Sequence, residues 1–246
     1  MLQVFASRSD LIIKIVLLLF SNAAFAEPAL IALDVGHDLE NTGAISARGL
    51  PEFGFNRSLA AHVSEALKNR QLNVREINFD GKITHLADRP AQAAGSDFFI
   101  SIHHDSISEE YLQHWIWNGE VQSHTEDKRG FGIFISSNNP DLQTSLSCAS
   151  SIGRMLRQAG FQPTPWHRRK HPEADSENGV WFFDNLLVLY RTTLPAVLLE
   201  AGVIKHREEE LELIDPQRQA RMAEALATGI AACLPAKIDQ PNLAVR

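Results

Sequence analysis

The chain is short of several things that would define it quickly. Its 246 residues include only two cysteines, which is too few for a disulfide-built scaffold. It has no low-complexity tract, no collagen-like glycine period and no internal repeat, so disordered, fibrous and solenoid classes are excluded. A basic surplus is missing too. The net charge is −7, and phosphates reward clustered Lys and Arg, so nucleic acid is not the expected main partner. Long apolar runs are absent: the one candidate, near the N-terminus, is cut by Lys14 well short of the ~20 residues that span a bilayer. What is present is an ordinary globular composition, 44% hydrophobic and 22% charged, in a length that suits one large domain.

The first segment reads as an address. Arg8 and Lys14 precede the apolar run 15–20, and Ala24-Phe25-Ala26 sets small residues at the two positions a signal peptidase reads. Cleavage after Ala26 removes Arg8, Lys14 and Asp10, leaving 220 residues at −8. No cysteine stands at the cleavage site, which argues against a lipoprotein. The expected organisation is a signal peptide at 1–26, one domain at 27–235 and a loose tail at 236–246, in a monomer exported to the periplasm. Cys148 and Cys233 could pair in an oxidising compartment. Cys233 also falls on a stripe with Met222, Leu226 and Gly229, and two buried free thiols are the favoured expectation.

Strand and helix patterns alternate along the rest. Apolar runs at 30–35, 97–103, 131–136 and 196–200 read as buried strands, and 73–79 as another. Phe55, Leu59, Val63 and Leu67 recur at helical spacing, 86–94 is alanine-rich, and Leu142 to Leu156 carries a helical stripe that stops at Gly160. Asp215-Pro216 caps a last helix running to about Cys233. The pattern predicts a single α/β domain with a mainly parallel, twisted sheet covered by helices on both faces. Two long irregular stretches, 106–130 and 161–184, are expected to carry function.

In such a sheet, ligands bind beyond the carboxyl ends of the strands. His37, His103 and Glu200 each end a predicted strand, and Glu52 opens the helix after the first. Two imidazoles and one carboxylate make a three-ligand zinc site with a position left for water, and a further carboxylate outside the metal shell is a general base. His103 and His104 compete for one place, since side chains alternate across a strand. No HExxH-type local spacing appears.

IALDVGH, GLPEFGFN, LADRPAQAAGSDFFISIHHDS and LPAVLLEAGVI stand in that order between Leu30 and Ala232. Together they resemble the zinc-dependent N-acetylmuramoyl-L-alanine amidases of the Amidase_3 type. The resemblance implies a six-stranded α/β domain with His37, Glu52 and His103 as zinc ligands and Glu200 as the catalytic glutamate. It implies cleavage in peptidoglycan of the amide joining the lactyl group of N-acetylmuramic acid to L-alanine. It selects His103 over His104. The chain departs from the family pattern at Asp38, where glycine is usual, at His104-Asp105 in the SIHHD segment, and at Val203 and His206 after the catalytic glutamate.

Other residues carry competing readings. Asp105 either orients a ligand histidine or lies exposed in a loop, and Arg89 reads as half of a structural ion pair. His62 reads as a surface residue. His114, Trp115 and Trp117 either line a substrate rim or pack a loop down. The basic run from Trp166 to His171 is either a solvated face or a rim that attracts stem-peptide carboxylates. Some relatives plug the zinc site with an inserted helix until an activator protein removes it, so Glu109, Glu110, Glu173 and Glu177 in the long loops are candidate plugs. The rival functions are an exported zinc peptidase acting on stem peptides and a non-catalytic wall- or zinc-binding module.

Overall fold

The computed structural model describes residues 27–234. The proposed signal peptide and the whole of the expected loose tail lie outside them. The elements run β1 (Leu30–Val35), α1 (Glu52–Asn69), β2 (Asn73–Ile77), α2 (Asp88–Gln92), β3 (Phe98–Asp105), β4 (Gln113–Trp117), β5 (Glu120–His124), β6 (Gly132–Ile135) and α3 (Leu142–Gln158). They continue with β7 (Glu173–Asp175), β8 (Val180–Phe182), α4 (Leu187–Tyr190), β9 (Ala196–Val203), α5 (Arg207–Leu213) and α6 (Pro216–Cys233).

One seven-stranded sheet has the order β2-β1-β3-β9-β6-β8-β7. Strands β2, β1, β3 and β9 are mutually parallel, as continuous apolar strands joined by helices require. Strand β6 runs antiparallel to β9, β8 parallel to β6 and β7 antiparallel to β8. The seventh strand exceeds the expected six because the stretch 161–184 is not wholly irregular. It supplies β8 and the three-residue edge strand β7. The stretch 106–130 likewise folds into a separate hairpin, β4-β5.

Side-chain alternation sorts the sheet into two faces. Phe98, Ile100 and Ile102 of β3 pack with α1, α3 and α6 in the larger core. Phe99 faces the opposite way, with Leu198, Phe134, Val188 and Leu189, in a thinner layer beside α4. His103 and Glu200 continue that second face to the strand ends. Asp141 caps α3 by accepting from the Thr144 amide, and Asp215 caps α6 through the Gln217 amide with Pro216 in its first turn.

The two cysteines are not free. Cys148 and Cys233 form a disulfide, with Cα atoms 5.0 Å apart, that ties α3 to the last turn of α6. Helical periodicity reports that a side chain is buried but not which helix lies against it. Here α6 runs beside α3, with Gly229 letting the backbone of Ile152 approach so closely that a Cβ would lie 2.6 Å from its Cα. Cysteines 85 residues apart are thereby brought together.

A bridge closing so long a loop stabilises mainly by restricting the unfolded chain, by about 2–4 kcal/mol. Urea denaturation with and without reductant is expected to show a loss of that size, mirrored by Cys148→Ala/Cys233→Ala. Coincident curves would show that the bridge contributes nothing.

Candidate metal centre

His37 follows β1 with a left-handed backbone, φ 63°. That conformation is uncommon for a residue with a side chain, and it is held from outside. The His37 carbonyl accepts from Asn78 Nδ2 and from the Arg89 guanidinium, which also bonds the carbonyls of Val35 and Ile83. Arg89 is buried 3.8 Å from both Asp34 and Asp38, so the expected structural ion pair is present in loose form. Its larger contribution is to clamp the turn that aims His37.

Glu52, in the first turn of α1, is buried. Its Oε2 accepts from the Ala44 amide at 3.1 Å and lies 3.0 Å from His37 Nε2. Its Oε1 accepts from Asn56 Nδ2 at 3.0 Å and the His104 amide at 3.3 Å, and lies 3.3 Å from His103 Nδ1. Burial opposes ionisation, but the hydrogen bonds and charges of His103 and His37 outweigh it and hold the carboxyl well below the usual range. His103 is pushed down, first by burial, and so favours the neutral form a metal ligand needs. The two rings meet edge to face with centroids 5.0 Å apart.

The donor atoms of His37, Glu52 and His103 all lie within 4.8 Å of one another, and among the described residues no other such group occurs. The fit to a small divalent ion is supported by the cradle as well as by the donors. A Cβ on Gly36 would fall on the His103 ring, so the ring lies flat against bare backbone. Two imidazoles and a carboxylate suit zinc and its transition-metal neighbours.

Glu200 on β9 is the lateral neighbour of His103 on β3. Its Oε2 is buried with no hydrogen-bond partner among the described residues. Burial, then the charges of Asp105 and Glu52, raise its pKa well above the usual carboxylate range. A carboxyl of high proton affinity beside three converging ligands is the arrangement that metal-assisted hydrolysis requires. All four residues singled out in the sequence therefore meet in one crevice. Beside His37 and His103 it opens into a cavity of about 280 Å³ walled by Leu86, Leu186, Leu187 and Val188.

The remaining candidates resolve as follows. His104 faces away from the crevice and donates from Nδ1 to Asn56 Oδ1 at 2.8 Å. Asn56 was not singled out in the sequence, although it lies one helical turn beyond Glu52, the spacing that shares a helix face. Asp105 contacts no ligand histidine; its Oδ2 lies 3.4 Å from Nε2 of His167. His62 is exposed. Trp115 and Trp117 stack with centroids 5.2 Å apart under Arg48, and Trp115 donates to the Ala47 carbonyl, so they pack the hairpin down. The basic run is not simply a solvated face, because Trp166 and His167 are buried in it. None of the four loop glutamates joins the metal group. Glu109 and Glu110 are exposed, while Glu173 pairs with Arg168 and Glu177 with Arg157. His206, where the family usually has asparagine, caps α5 by accepting from the Glu209 amide.

Fold and crevice together define the class, an α/β protein with a His-Glu-His centre and an adjoining carboxyl. The chain belongs to the N-acetylmuramoyl-L-alanine amidase family, whose model matches residues 31–232. It is 26% identical to the uncharacterized protein YqiI of Bacillus subtilis, over 91% of this chain and 95% of that one. It is 24% identical to the probable N-acetylmuramoyl-L-alanine amidase AmiB of Haemophilus influenzae, over 87% of this chain and 54% of that one, so it spans about half the length of that relative. In fold it is similar to the amidase Ami1 of Mycobacterium smegmatis, with a TM-score of 0.68, 19% identity, and coverage of 85% of this chain and 97% of the other.

Replacing Gly36 by Ala is expected to push His103 aside and weaken divalent-metal binding about tenfold or more. Gly54→Ala, in open space on α1, should leave it unchanged. Calorimetric titration of zinc into the two chelator-treated variants makes the comparison, and equal affinities would show that the bare backbone under His103 has no part in the site.

Proposed function

We propose that this chain is an exported zinc amidase in which His37, Glu52 and His103 hold the ion and Glu200 carries the proton. The reaction is the family's hydrolysis of the amide between the lactyl group of N-acetylmuramic acid and L-alanine. The observation that carries the reading is the buried, unpartnered Glu200 carboxyl beside the three converging donors. Export to the periplasm is supported by the leader-like segment 1–26 and by the disulfide, since such bridges persist in oxidising compartments. Among the described residues no helix is long and apolar enough to cross a membrane.

Zinc, when bound, supplies Lewis acidity that polarises a carbonyl and lowers the pKa of a bound water to about 7. The chain's own groups do the rest. Asn56 and the amides of Ala44 and His104 keep the Glu52 carboxylate turned toward the two histidines. Glu200 accepts a proton from the attacking water as the water oxygen bonds to the lactyl carbonyl carbon. It returns that proton to the nitrogen as the carbon–nitrogen bond breaks, releasing the stem peptide with a free L-alanine amino group. A carboxyl whose proton affinity is raised by burial and by its anionic neighbours keeps the proton until the leaving nitrogen takes it.

Glu200→Gln is expected to retain metal yet release no stem peptides from purified sacculi, and chelation of the unaltered protein should abolish release until zinc is restored. Mass spectrometry of the products decides the bond. Free L-alanine termini fit the amidase, whereas cuts within the stem peptide would show a peptidase, and full turnover by Glu200→Gln would remove Glu200 from the mechanism.

A further inference from the structure

Four residues stand side by side across the crevice floor. They are Gly36 after β1, His103 on β3, Glu200 on β9 and Gly132 on β6. Lateral neighbours in a sheet present their side chains to the same face. Each outer glycine lies under an imidazole, Gly36 under that of its β3 neighbour and Gly132 under one brought in from outside the sheet. The His103 ring lies over Gly36, and the His167 ring lies over Gly132, where a Cβ would come within 2.6 Å of its Cδ2 and Nε2. Glu200 therefore stands between two imidazoles, of which only His103 belongs to the metal group.

His167 comes from a 3-10 turn, Trp166–Arg169. Its ring is buried edge-on against Phe134 at 4.7 Å and Trp181 at 6.5 Å. Its Nε2 points toward Asp105, 3.4 Å from Oδ2. Both ring nitrogens, Asp105 Oδ2 and Glu200 Oε2 are buried without a hydrogen-bond partner among the described residues. An unsatisfied buried polar atom is destabilising, so a nest this aromatic would be filled more favourably by a hydrocarbon ring. Burial, helped by the charges of His171 and Lys170, pushes the His167 pKa down to about 3, which keeps the ring neutral with one N–H and one lone pair. The cluster does not converge as a metal-holding group does.

We propose that His167 and Asp105 are a positioning pair for Glu200, fixing where its carboxyl sits relative to the metal centre. The proposal rests on the reading of Glu200 as the proton carrier. The ring fills the space above Gly132, so the carboxyl cannot swing toward β6, and its Nε2 faces Asp105 Oδ2 from 3.4 Å. The ring nitrogens are shut off from solvent, so the pair acts on the step Glu200 performs and not on substrate binding. A phenylalanine would keep the packing and lose the nitrogens.

Steady-state kinetics of the zinc-loaded protein on a defined muropeptide test this, alongside metal content and melting temperature. His167→Phe is expected to lower kcat about tenfold or more with KM unchanged, one metal per chain and an unaltered or raised melting temperature, and His167→Gln should recover much of the loss. Gly132→Ala, which displaces the ring from below, should lower kcat in the same way and serves if His167→Phe does not fold. A His167→Phe protein with undiminished kcat, a loss confined to KM, or loss of the metal would each overturn the proposal. Glu200→Gln is run beside them. If it stays active, the reading of Glu200 fails; if it is dead while His167→Phe is fully active, only the positioning role fails.

Discussion

The lateral register between β3 and β9 sets His103 beside Glu200, and the rest of the site is arranged around that pairing. A slip of β3 by one residue would turn His103 away from the face that Glu200 occupies, because side chains alternate with a period of two. His104 would then enter the crevice in place of His103. The fold uses His104 to prevent this. It points into the helical layer, where it is hydrogen-bonded to Asn56, and Asn56 also donates to Glu52 and to the Gly36 carbonyl. One buried amide thus locks strand β3, the end of β1 and the first turn of α1 together.

Two carboxylates of the same crevice are driven in opposite directions. Glu52 is hydrogen-bonded by amides and flanked by imidazoles, which holds it ionised. Glu200 Oε2 accepts no hydrogen bond among the described residues, and the charges that act on the carboxyl are those of Asp105 and Glu52. The environment alone divides the work, leaving one group to hold charge and the other to exchange a proton. The same logic explains why no local ligand motif was needed. The donors are brought in by separate strands and a helix start, each at the carboxyl edge of the sheet.

Much of this was legible in the sequence. Continuous apolar strands ending in His37, His103 and Glu200 gave away the parallel sheet and its rim, and the order of the four motifs gave the family. What escaped depends on spatial adjacency that no periodicity encodes. The stripe containing Cys233 showed burial but not that Cys148 lay against it. The short strands β7 and β8 fall in a stretch without apolar alternation, so the sheet proved wider than expected. His167 sits in a basic run that reads as surface, and only the fold shows Gly132 opening a space for its ring. Asn56 was within reach, one turn along the helix from Glu52.

The disulfide divides the chain in a way that bears on how the crevice comes apart. His37, Glu52 and His103 all precede Cys148, whereas Glu200 lies between the two cysteines, inside the covalent loop. The boundary between β3 and β9 is therefore a seam between a stretch without a cross-link and a stretch that is closed on itself. Partial opening along that seam, the kind of sub-global fluctuation native proteins undergo, would part Glu200 from His37, Glu52 and His103 while leaving those three on one continuous piece of chain. On the proposed function, turnover would then fail under stress before the ion is lost, and an inactive protein that still holds its metal would be the first species to accumulate.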